Sequence, residues 1–487
     1  MHDRREAQAV FRRLFGEDSP LRRSETAHGE VRLRERIDIL DPDDRTAFEH
    51  LARALTREVL DERRDLVRPG LLGELGDLER EVAGPEDQEW LAPAHGGGSY
   101  ELPASARPSS VPPMQPQRRT RLEFQPPALG EEEVEAVAET LRSGWLGPGP
   151  KEQLLEQRVA ETLGARNVVA VSSCTVAIEL ALLALDVGQG DEVITTPMTW
   201  PATANAIAHT GALPVFCDVR DDDLTLDAAS AAELVTERTR AIVPVHLAGQ
   251  PADLDAIAAL GIPIVEDAAH AFGAAFRGRP IGTVGTATCF SLYVTKHVVA
   301  GEGGLVATDR DDVAERVRAM RRIGRGADGR YDQLGPALKA SLPDVLASIA
   351  LVQLDKLSGH DEARARQFEL YDAGLADLIG IEPVGRDGRD VHARHLYIVR
   401  VDRELAGATR AEYQQGLADD LIATSIHFLP VHRLRWFSQR YPAAVPLPVA
   451  ERAGEEVLSL PLSPVHSDDD IRDVVEAIRT LHARFTA

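Results

Sequence analysis

Lysine is scarce in this sequence. The 487-residue chain has 54 lysine and arginine residues, and only four are lysines, namely Lys151, Lys296, Lys339 and Lys356. A lysine side chain can lose its proton and form an imine with a carbonyl group, whereas arginine stays protonated. Each of the four lysines is therefore a candidate for chemistry that an arginine in its place could not perform.

Cysteine, positive charge and long apolar runs are scarce as well. The three cysteines (Cys174, Cys217 and Cys289) have no CxxC or metal-ligand spacing, which argues against a disulfide framework and against a metal site. The net charge of −24 would repel nucleic acid and anionic membranes. The start of the chain lacks the apolar core of a signal peptide, and no apolar run reaches about 18 residues. We expect a cytoplasmic protein that binds neither nucleic acid nor membranes.

The first 120 residues predict two segments of different character. Residues 1–95 are highly charged and contain a helix start at Asp41 and Pro42, followed by an apolar face from Phe48 to Val59. They predict a helical N-terminal module. Residues 96–120 are rich in proline and glycine, which is typical of a linker.

The remainder of the chain alternates between strand-like and helix-like patterns. Residues 121–360 contain strand-like runs at 167–171, 192–195, 213–217, 241–245 and 263–265. Helical patterns cover 175–185, 252–260 and a longer stretch around 343–357. This alternation predicts a large α/β domain with a mostly parallel sheet, and residues 361–487 predict a smaller C-terminal α+β domain.

Two of the expected strand ends carry residues that suit a ligand, and ligands in open α/β sheets collect at strand ends. Ser172–Thr175 lies between a strand and a helix, where hydroxyl and backbone N–H groups suit a phosphate, although such residues also serve as helix caps. Asp267 follows an apolar strand directly. A buried carboxylate needs a partner such as a protonated pyridine nitrogen, and the alternative is a cap on the following turn.

Lys296 is the third such feature. It follows the apolar run 286–290 and precedes the turn Gly301–Gly304, so we expect a buried strand end, with a surface lysine as the alternative. Lys151 in a loop and Lys356 on a helix surface pattern fit an imine less well. A phosphate turn, a carboxylate and an amine together are what pyridoxal 5′-phosphate requires of a protein.

Five stretches of the chain, taken in order, form the motifs of one known family. They are Gly130–Pro150, Val171–Thr175, Pro197–Asn205, Glu266–His270 and Ser291–Gly304. These motifs resemble those of the DegT/DnrJ/StrS sugar aminotransferases, which are pyridoxal-phosphate enzymes of fold type I. The resemblance covers about residues 121–487. It implies the large α/β domain and the smaller C-terminal domain of that fold, here preceded by an atypical N-terminal extension.

The resemblance also implies roles for individual residues. Lys296 would hold the cofactor as a Schiff base, and Asp267 would bind the ring nitrogen as the second catalytic residue. The other implied cofactor contacts are Ser173, Cys174, Thr175 and Ser291 at the phosphate, Trp200 on the ring, and His270 near the 3-hydroxyl. Cys174 stands where the family usually has glycine. Weaker candidates for substrate contact are Trp145, His427 and His432.

One motif departs from the family pattern. The family commonly has aromatic residues around an Asn or Lys that reaches the phosphate in the partner subunit. This chain has Ala337–Ser341 there, and of the polar contacts only Lys339 remains. The resemblance therefore implies a homodimer in which Lys339 is given to the cofactor site of the other subunit.

The activity implied is transfer of an amino group from glutamate or glutamine to a keto sugar. The sugar would be nucleotide-linked, or replaced by a related cyclic ketone, in amino-sugar, antibiotic or other secondary-metabolite biosynthesis. Two alternatives stay open. A sugar dehydratase of this fold carries histidine at the Schiff-base position, and His297 adjoins Lys296. A regulatory or scaffold protein could retain the fold without catalysis, with residues 1–120 binding a protein partner.

Overall fold

The computed structural model describes residues 118–324, 337–385, 388 and 390–487. Within them the longer helices are α1 (Glu131–Ser143), α2 (Pro150–Leu163), α3 (Cys174–Ala184), α4 (Pro201–His209), α5 (Ala228–Leu234), α6 (Leu254–Ala258), α7 (Asp311–Met320), α8 (Asp344–Leu375), α9 (Arg410–Asp419), α10 (Arg435–Arg440), α11 (Pro448–Glu456) and α12 (Asp468–Phe485). The expected helical module (1–95) and most of the linker (96–120) lie outside the described residues.

The strands form one large sheet and two smaller ones. They are β1 (Asn167–Val171), β2 (Glu192–Thr195), β3 (Leu213–Phe216), β4 (Thr239–Val243), β5 (Val265–Asp267), β6 (Ala275–Phe276), β7 (Arg279–Pro280), β8 (Ala287–Ser291), β9 (Gly304–Thr308), β10 (Ile381–Pro383), β11 (Tyr397–Val401) and β12 (Val457–Leu460). Strands β6 and β7 form a short hairpin, and β10, β11 and β12 form a separate antiparallel sheet.

The large sheet has the strand order β3-β2-β4-β5-β8-β9-β1. Its three-stranded and four-stranded parts join through parallel bridges from Ile242 to Ile264 and from Val245 to Asp267. The pairs within β3-β2-β4 and the pair β5-β8 are parallel, and β9 is antiparallel to both of its neighbours. The predicted α/β domain with a mostly parallel sheet is thus confirmed, with β9 as the reversed strand.

Both faces of this sheet are buried, which explains its nearly continuous apolar strands. In β1, Val168 and Ala170 pack into one apolar cluster, whereas Val169 and Val171 pack into another. The first cluster includes residues of α2 and α8, and the second includes residues of α3 and α7. Successive side chains of a strand point to opposite faces, so a sheet covered by helices on both sides needs apolar residues at every position.

Helix α8 is longer than the sequence pattern predicts. The apolar pattern indicates a helix around 343–357, whereas α8 continues to Leu375. Its first half packs Ala347 and Leu354 into the core of the large sheet, and its second half packs Phe368 and Tyr371 into the core beside β11. Because the buried face changes along the helix, no single apolar period covers its whole length. The division at 360/361 falls inside α8 and stays a prediction.

No helix within the described residues is long and apolar enough to cross a membrane.

Asp344 fixes the start of α8 against the start of α2. Its carboxylate accepts hydrogen bonds from the backbone N–H groups of Gly149, Lys151 and Glu152 at 2.9, 3.0 and 2.8 Å. These are the donors that the first turn of a helix leaves unpaired. The aspartate is 1% exposed, so no water can replace it readily.

Replacing Asp344 with alanine should lower the free energy of unfolding by about 2–4 kcal/mol, because three backbone donors lose their acceptor in a buried place. Asp355→Ala is the matched control. Asp355 lies on the same helix, its side chain is 62% exposed, and it pairs with Arg158. Its loss should cost about 1 kcal/mol or less. Urea unfolding of both variants measures the difference, and equal losses would contradict the capping role.

Candidate active site

The strand ends singled out in the sequence meet at one edge of the large sheet. Val171 at the end of β1 and Ser291 at the end of β8 both lie opposite Gly304, the first residue of β9. Asp267 at the end of β5 lies opposite Cys289 of β8. The reversed strand β9 thus places the Ser172–Thr175 turn, Asp267 and the loop that carries Lys296 side by side.

The turn after β1 opens helix α3. Ser173 is the N-cap, and its hydroxyl accepts a hydrogen bond from the N–H of Val176 at 3.3 Å. The thiol of Cys174 lies 3.6 Å from the carbonyl oxygen of Cys289. A side chain at Gly304 would collide with the backbone of Ser173, so the close approach of β9 requires glycine. Ser173 thus caps α3, which is the alternative that the sequence left open. The N-terminus of this 11-residue helix can also attract an anion such as a phosphate.

Ser291 and Thr175 lie beside this turn and are both half-buried. The hydroxyl of Ser291 accepts a hydrogen bond from the N–H of Tyr293 at 3.3 Å. Both hydroxyls are at the sheet edge where the β1, β8 and β9 ends meet, which is compatible with the phosphate role predicted for them.

Asp267 is a buried carboxylate at 6% exposure. Its Oδ2 accepts a hydrogen bond from the hydroxyl of Thr203 at 2.7 Å, and its Oδ1 accepts one from the N–H of Ala269 at 3.1 Å. Burial raises the pKa of Asp267, and the hydrogen bonds and the nearby Lys296 oppose that rise. The carboxylate therefore caps its own turn and is also a suitable partner for a buried cation.

Lys296 is a half-buried residue, and its amine lies 3.4 Å from Nε2 of His395. Burial lowers the pKa of Lys296 from 10.5 to about 8, while Cys174 and Asp267 raise it and Arg364 lowers it further. An amine with such a pKa is partly unprotonated near neutral pH, as nucleophilic and base catalysis require.

The other lysines have different settings. Lys151 pairs with Glu139 at 3.3 Å, and Lys339 is exposed in a segment that bridges to Arg322. Lys356 is bonded to Glu132 and Glu133. Burial alone would lower the pKa of Lys356, but the hydrogen bonds to Glu133 and Glu132 outweigh burial and raise it. The pKa of Lys296 is thus shifted toward neutrality, whereas that of Lys356 is raised.

Four histidines surround Lys296. The ring of His395 lies 4.3 Å from that of His270 and 5.4 Å from that of His297, and His270 lies 6.5 Å from His427. Burial lowers the pKa of all four, to about 3 for His297 and His427. These imidazoles are therefore neutral at physiological pH and act as hydrogen-bonding groups without charge.

Of the remaining predicted residues, Trp200 and His427 lie around this group, and Trp145 lies on the turn after α1. The ring of Trp200 is 59% exposed and lies 6.2 Å from that of Phe428, which in turn stacks on His270 at 5.9 Å. His427 contacts the hydroxyl of Ser459 at 2.8 Å. Trp145 is 55% exposed, and its Nε1 donates a hydrogen bond to the carbonyl oxygen of Pro148.

His432 has a structural explanation for its burial. It contacts Glu451 of α11 at 3.2 Å and packs near Phe216. These contacts account for the residue without a substrate.

Sequence reasoning missed Thr203, His395 and Arg364. Thr203 stands in the Pro197–Asn205 motif, so its hydroxyl is a signal that could have been used. His395 and Arg364 reach the site from 99 and 68 residues beyond Lys296 in the chain, and local patterns do not reveal such contacts.

The residues present fit pyridoxal phosphate. A buried acid (Asp267) is available for a ring nitrogen, a helix N-terminus and hydroxyls for a phosphate, and an amine of lowered pKa for an aldehyde. Nδ1 of His270 is buried with no hydrogen-bond partner in the part of the chain that the structure describes, so it can bind a polar group of the ring. The donor set thus matches the three chemical features of the cofactor.

Comparison with known proteins agrees with this fit. The model of the DegT/DnrJ/EryC1/StrS aminotransferase family matches residues 127–479. The spore coat polysaccharide biosynthesis protein SpsC of Bacillus subtilis is 42% identical over 378 residues, which are 74% of this chain and 97% of that protein. Two solved structures extend the comparison.

The PLP-form of the putative sugar aminotransferase Spr1654 from Streptococcus pneumoniae is 31% identical with a TM-score of 0.71, covering 75% of this chain and 99% of that one. DesI, solved in the presence of its TDP-sugar product, is 33% identical with a TM-score of 0.70, covering 77% and 95%. The fold expected from the sequence, a type I fold of pyridoxal-phosphate enzymes, is confirmed.

The buried amine of Lys296 predicts a stability that depends on pH. Its pKa is about 8 in the folded chain and 10.5 without burial, so between these values the unfolded chain binds more protons. The contribution of Lys296 to stability therefore improves as pH rises from about 8 to 10.5, and it is most unfavourable below 8, by at most about 3 kcal/mol.

Lys296→Met should accordingly stabilise the cofactor-free protein near pH 7. It should also show less of the rise in stability that the wild-type protein shows as the pH increases above 8. Urea unfolding near pH 7 and above pH 8 measures both effects, with Lys151→Met as the control, because Lys151 pairs with Glu139 at the surface. A Lys296→Met protein that gains no more stability than the Lys151→Met protein would contradict the burial of the amine.

Proposed function

Because the chain belongs to the DegT/DnrJ/EryC1/StrS aminotransferase family and is a pyridoxal-phosphate-dependent aminotransferase, we propose that it transfers an amino group from glutamate or glutamine to a nucleotide-linked keto sugar. The observation that carries this proposal is the buried amine of Lys296 beside Asp267 and the N-terminus of α3. That arrangement suits imine chemistry on a phosphate-bearing aldehyde and has no evident use in a scaffold.

The chain's own residues would divide the binding of the cofactor between them. When bound, pyridoxal phosphate supplies an aldehyde that carries the amino group and a ring that withdraws electrons. Asp267, held by Thr203 and Ala269, would keep the ring nitrogen protonated. The residues proposed for the other contacts are Ser173, Cys174, Thr175 and Ser291 at the phosphate, Trp200 over the ring, and His270 at the 3-hydroxyl.

Lys296 would also move the proton. Its amine, with a pKa of about 8, can take a proton from the substrate carbon and return it without a large energetic cost. The neutral histidines around Lys296 leave that amine as the group that can exchange a proton near neutral pH. The same side chain thus anchors the cofactor and serves as general base and acid.

The substrate class is proposed from the relatives. SpsC is named for polysaccharide biosynthesis, Spr1654 as a putative sugar aminotransferase, and DesI was solved with a TDP-sugar product. A saccharide is the class common to these descriptions, and the nucleotide is proposed from the DesI description and from the resemblance of the motifs. Related cyclic ketones remain the wider class within this proposal.

A second subunit would complete the site. Trp200 and Tyr293 are large side chains beside the proposed cofactor with 59% and 40% exposure, and Trp145 on the turn after α1 is 55% exposed. A homodimer would cover these side chains and would bring the exposed Lys339 to the cofactor site of the other subunit.

We also propose that residues 1–120 bind a protein partner and that the boundary between the two domains lies near residue 360.

The dehydratase alternative is disfavoured by the setting of His297. Its Nε2 lies 2.8 Å from the carbonyl oxygen of Ala393, and the residue is only 2% exposed. The amine of Lys296 instead lies 3.4 Å from Nε2 of His395, and the charge of Asp267 raises its pKa. A shift of the Schiff-base motif by one residue is therefore not supported by the geometry.

Amino transfer to a panel of nucleotide-linked keto sugars, with glutamate and glutamine as donors, tests the function. The wild-type protein should consume donor and form amino sugar in equal amounts. Lys296→Ala should lose at least about 10³-fold in rate, because both the anchor and the general base are removed.

Lys151→Ala is the matched control, since it removes a lysine that pairs with Glu139 at the surface, and it should retain wild-type turnover. Product formed without consumption of the donor would favour dehydration. Full turnover by Lys296→Ala would refute the central assignment.

A further inference from the structure

His395 has a main chain fixed on both sides. Its N–H donates to the carbonyl oxygen of Ala248 at 3.0 Å, and its own carbonyl oxygen accepts from Nε2 of Gln125 at 2.8 Å. The residue lies two positions before the start of β11 and is 1% exposed. Its imidazole is therefore held where the backbone puts it and cannot swing to solvent.

The ring of His395 is positioned between two features of the site. One face lies 4.3 Å from the ring of His270, centroid to centroid, and its Nε2 lies 3.4 Å from Nζ of Lys296. In the part of the chain that the structure describes, the Lys296 amine makes its hydrogen bond with this atom. Among the described residues Nδ1 of His395 has no hydrogen-bond partner, so the contact with Lys296 is the polar contact of this ring there.

Several titratable or charged groups face the Lys296 amine from different elements. They are Cys174 of α3, Asp267 of β5, Arg364 of α8, and the imidazoles of His270, His297, His395 and His427. Asp267 is already bonded to Thr203 and Ala269. Arg364 is 4% exposed, and within the described residues its Nε and Nη1 have no hydrogen-bond partner. Its positive charge lowers the pKa of the Lys296 amine.

We propose that His395 is a positioning residue for Lys296, whose amine donates a hydrogen bond to Nε2 of the neutral imidazole whenever it is not engaged with the cofactor. This rests on the proposed function of Lys296. The contact would hold the released amine next to Asp267, within reach of the substrate carbon. It would also replace part of the hydration that the ammonium form loses on burial.

The contact has a measurable consequence for the protonation of Lys296. Burial and Arg364 both lower the pKa of this amine, and a hydrogen bond from the ammonium to His395 stabilises the protonated form against them. Removal of the acceptor should therefore lower the pKa of Lys296 below about 8, by about one unit, which is a tenfold loss of proton affinity.

Two substitutions separate the hydrogen bond from the shape of the ring. His395→Phe keeps an aromatic ring for packing on His270 and removes the acceptor. His395→Gln places an amide oxygen near the position of Nε2 and keeps an acceptor. His466→Gln is the control, because His466 is also a buried histidine, at 8% exposure, whose pKa burial lowers to about 4.

The experiment is an NMR titration of the cofactor-free protein labelled with ¹³C-lysine. The chain has only four lysines, so the Cε signals are few and Lys151, Lys339 and Lys356 serve as internal references. We expect His395→Phe to lower the pKa of Lys296 by about one unit, and His395→Gln and His466→Gln to leave it near the wild-type value.

A His395→Phe protein with a wild-type Lys296 titration would overturn the proposal, as would an equal shift in His466→Gln. If the phenylalanine variant does not fold, His395→Asn tests the same point, since its shorter amide cannot reach the amine. The titration uses neither donor nor sugar, so an error in the substrate class leaves this result unaffected, whereas loss of cofactor binding to Lys296 would refute the proposed function separately.

Discussion

The burial of two oppositely charged groups, Asp267 and Lys296, is the constraint on which the rest of the site depends. Burial raises the pKa of the carboxyl group and lowers that of the amine, so burial opposes the charged form of each. Their proximity, together with the Thr203 hydroxyl and the N–H of Ala269, keeps the acid ionisable. The amine is left with a pKa close to the working pH, which suits it both as an anchor and as a base.

The sheet topology delivers these groups to one place. Because β9 runs against its neighbours, the loop that returns from β8 to β9 crosses the end of β1, and Gly304 packs on the backbone of Ser173. The helix N-terminus, the carboxylate and the lysine loop then share one edge. Asp344, which caps α2 from α8, and the long α8 helix fix the surrounding elements and bring Arg364 to the site.

The sequence predicted the parts that local chemistry determines. Strand ends followed by hydroxyls, a carboxylate or a lysine are visible in short windows, and the mostly parallel sheet follows from the alternation of patterns. His395 and Arg364 were not visible, because their roles depend on contacts 99 and 68 residues from Lys296. The continuation of α8 was missed because its buried face changes partner midway.

The most direct test of this account locates the cofactor on the chain. The cofactor-free protein is incubated with pyridoxal phosphate, reduced with borohydride, digested and analysed by peptide mass spectrometry. The account predicts the phosphopyridoxyl group on Lys296 and not on Lys151, Lys339 or Lys356. Labelling of another lysine at the same yield, or no labelling of Lys296, would contradict it.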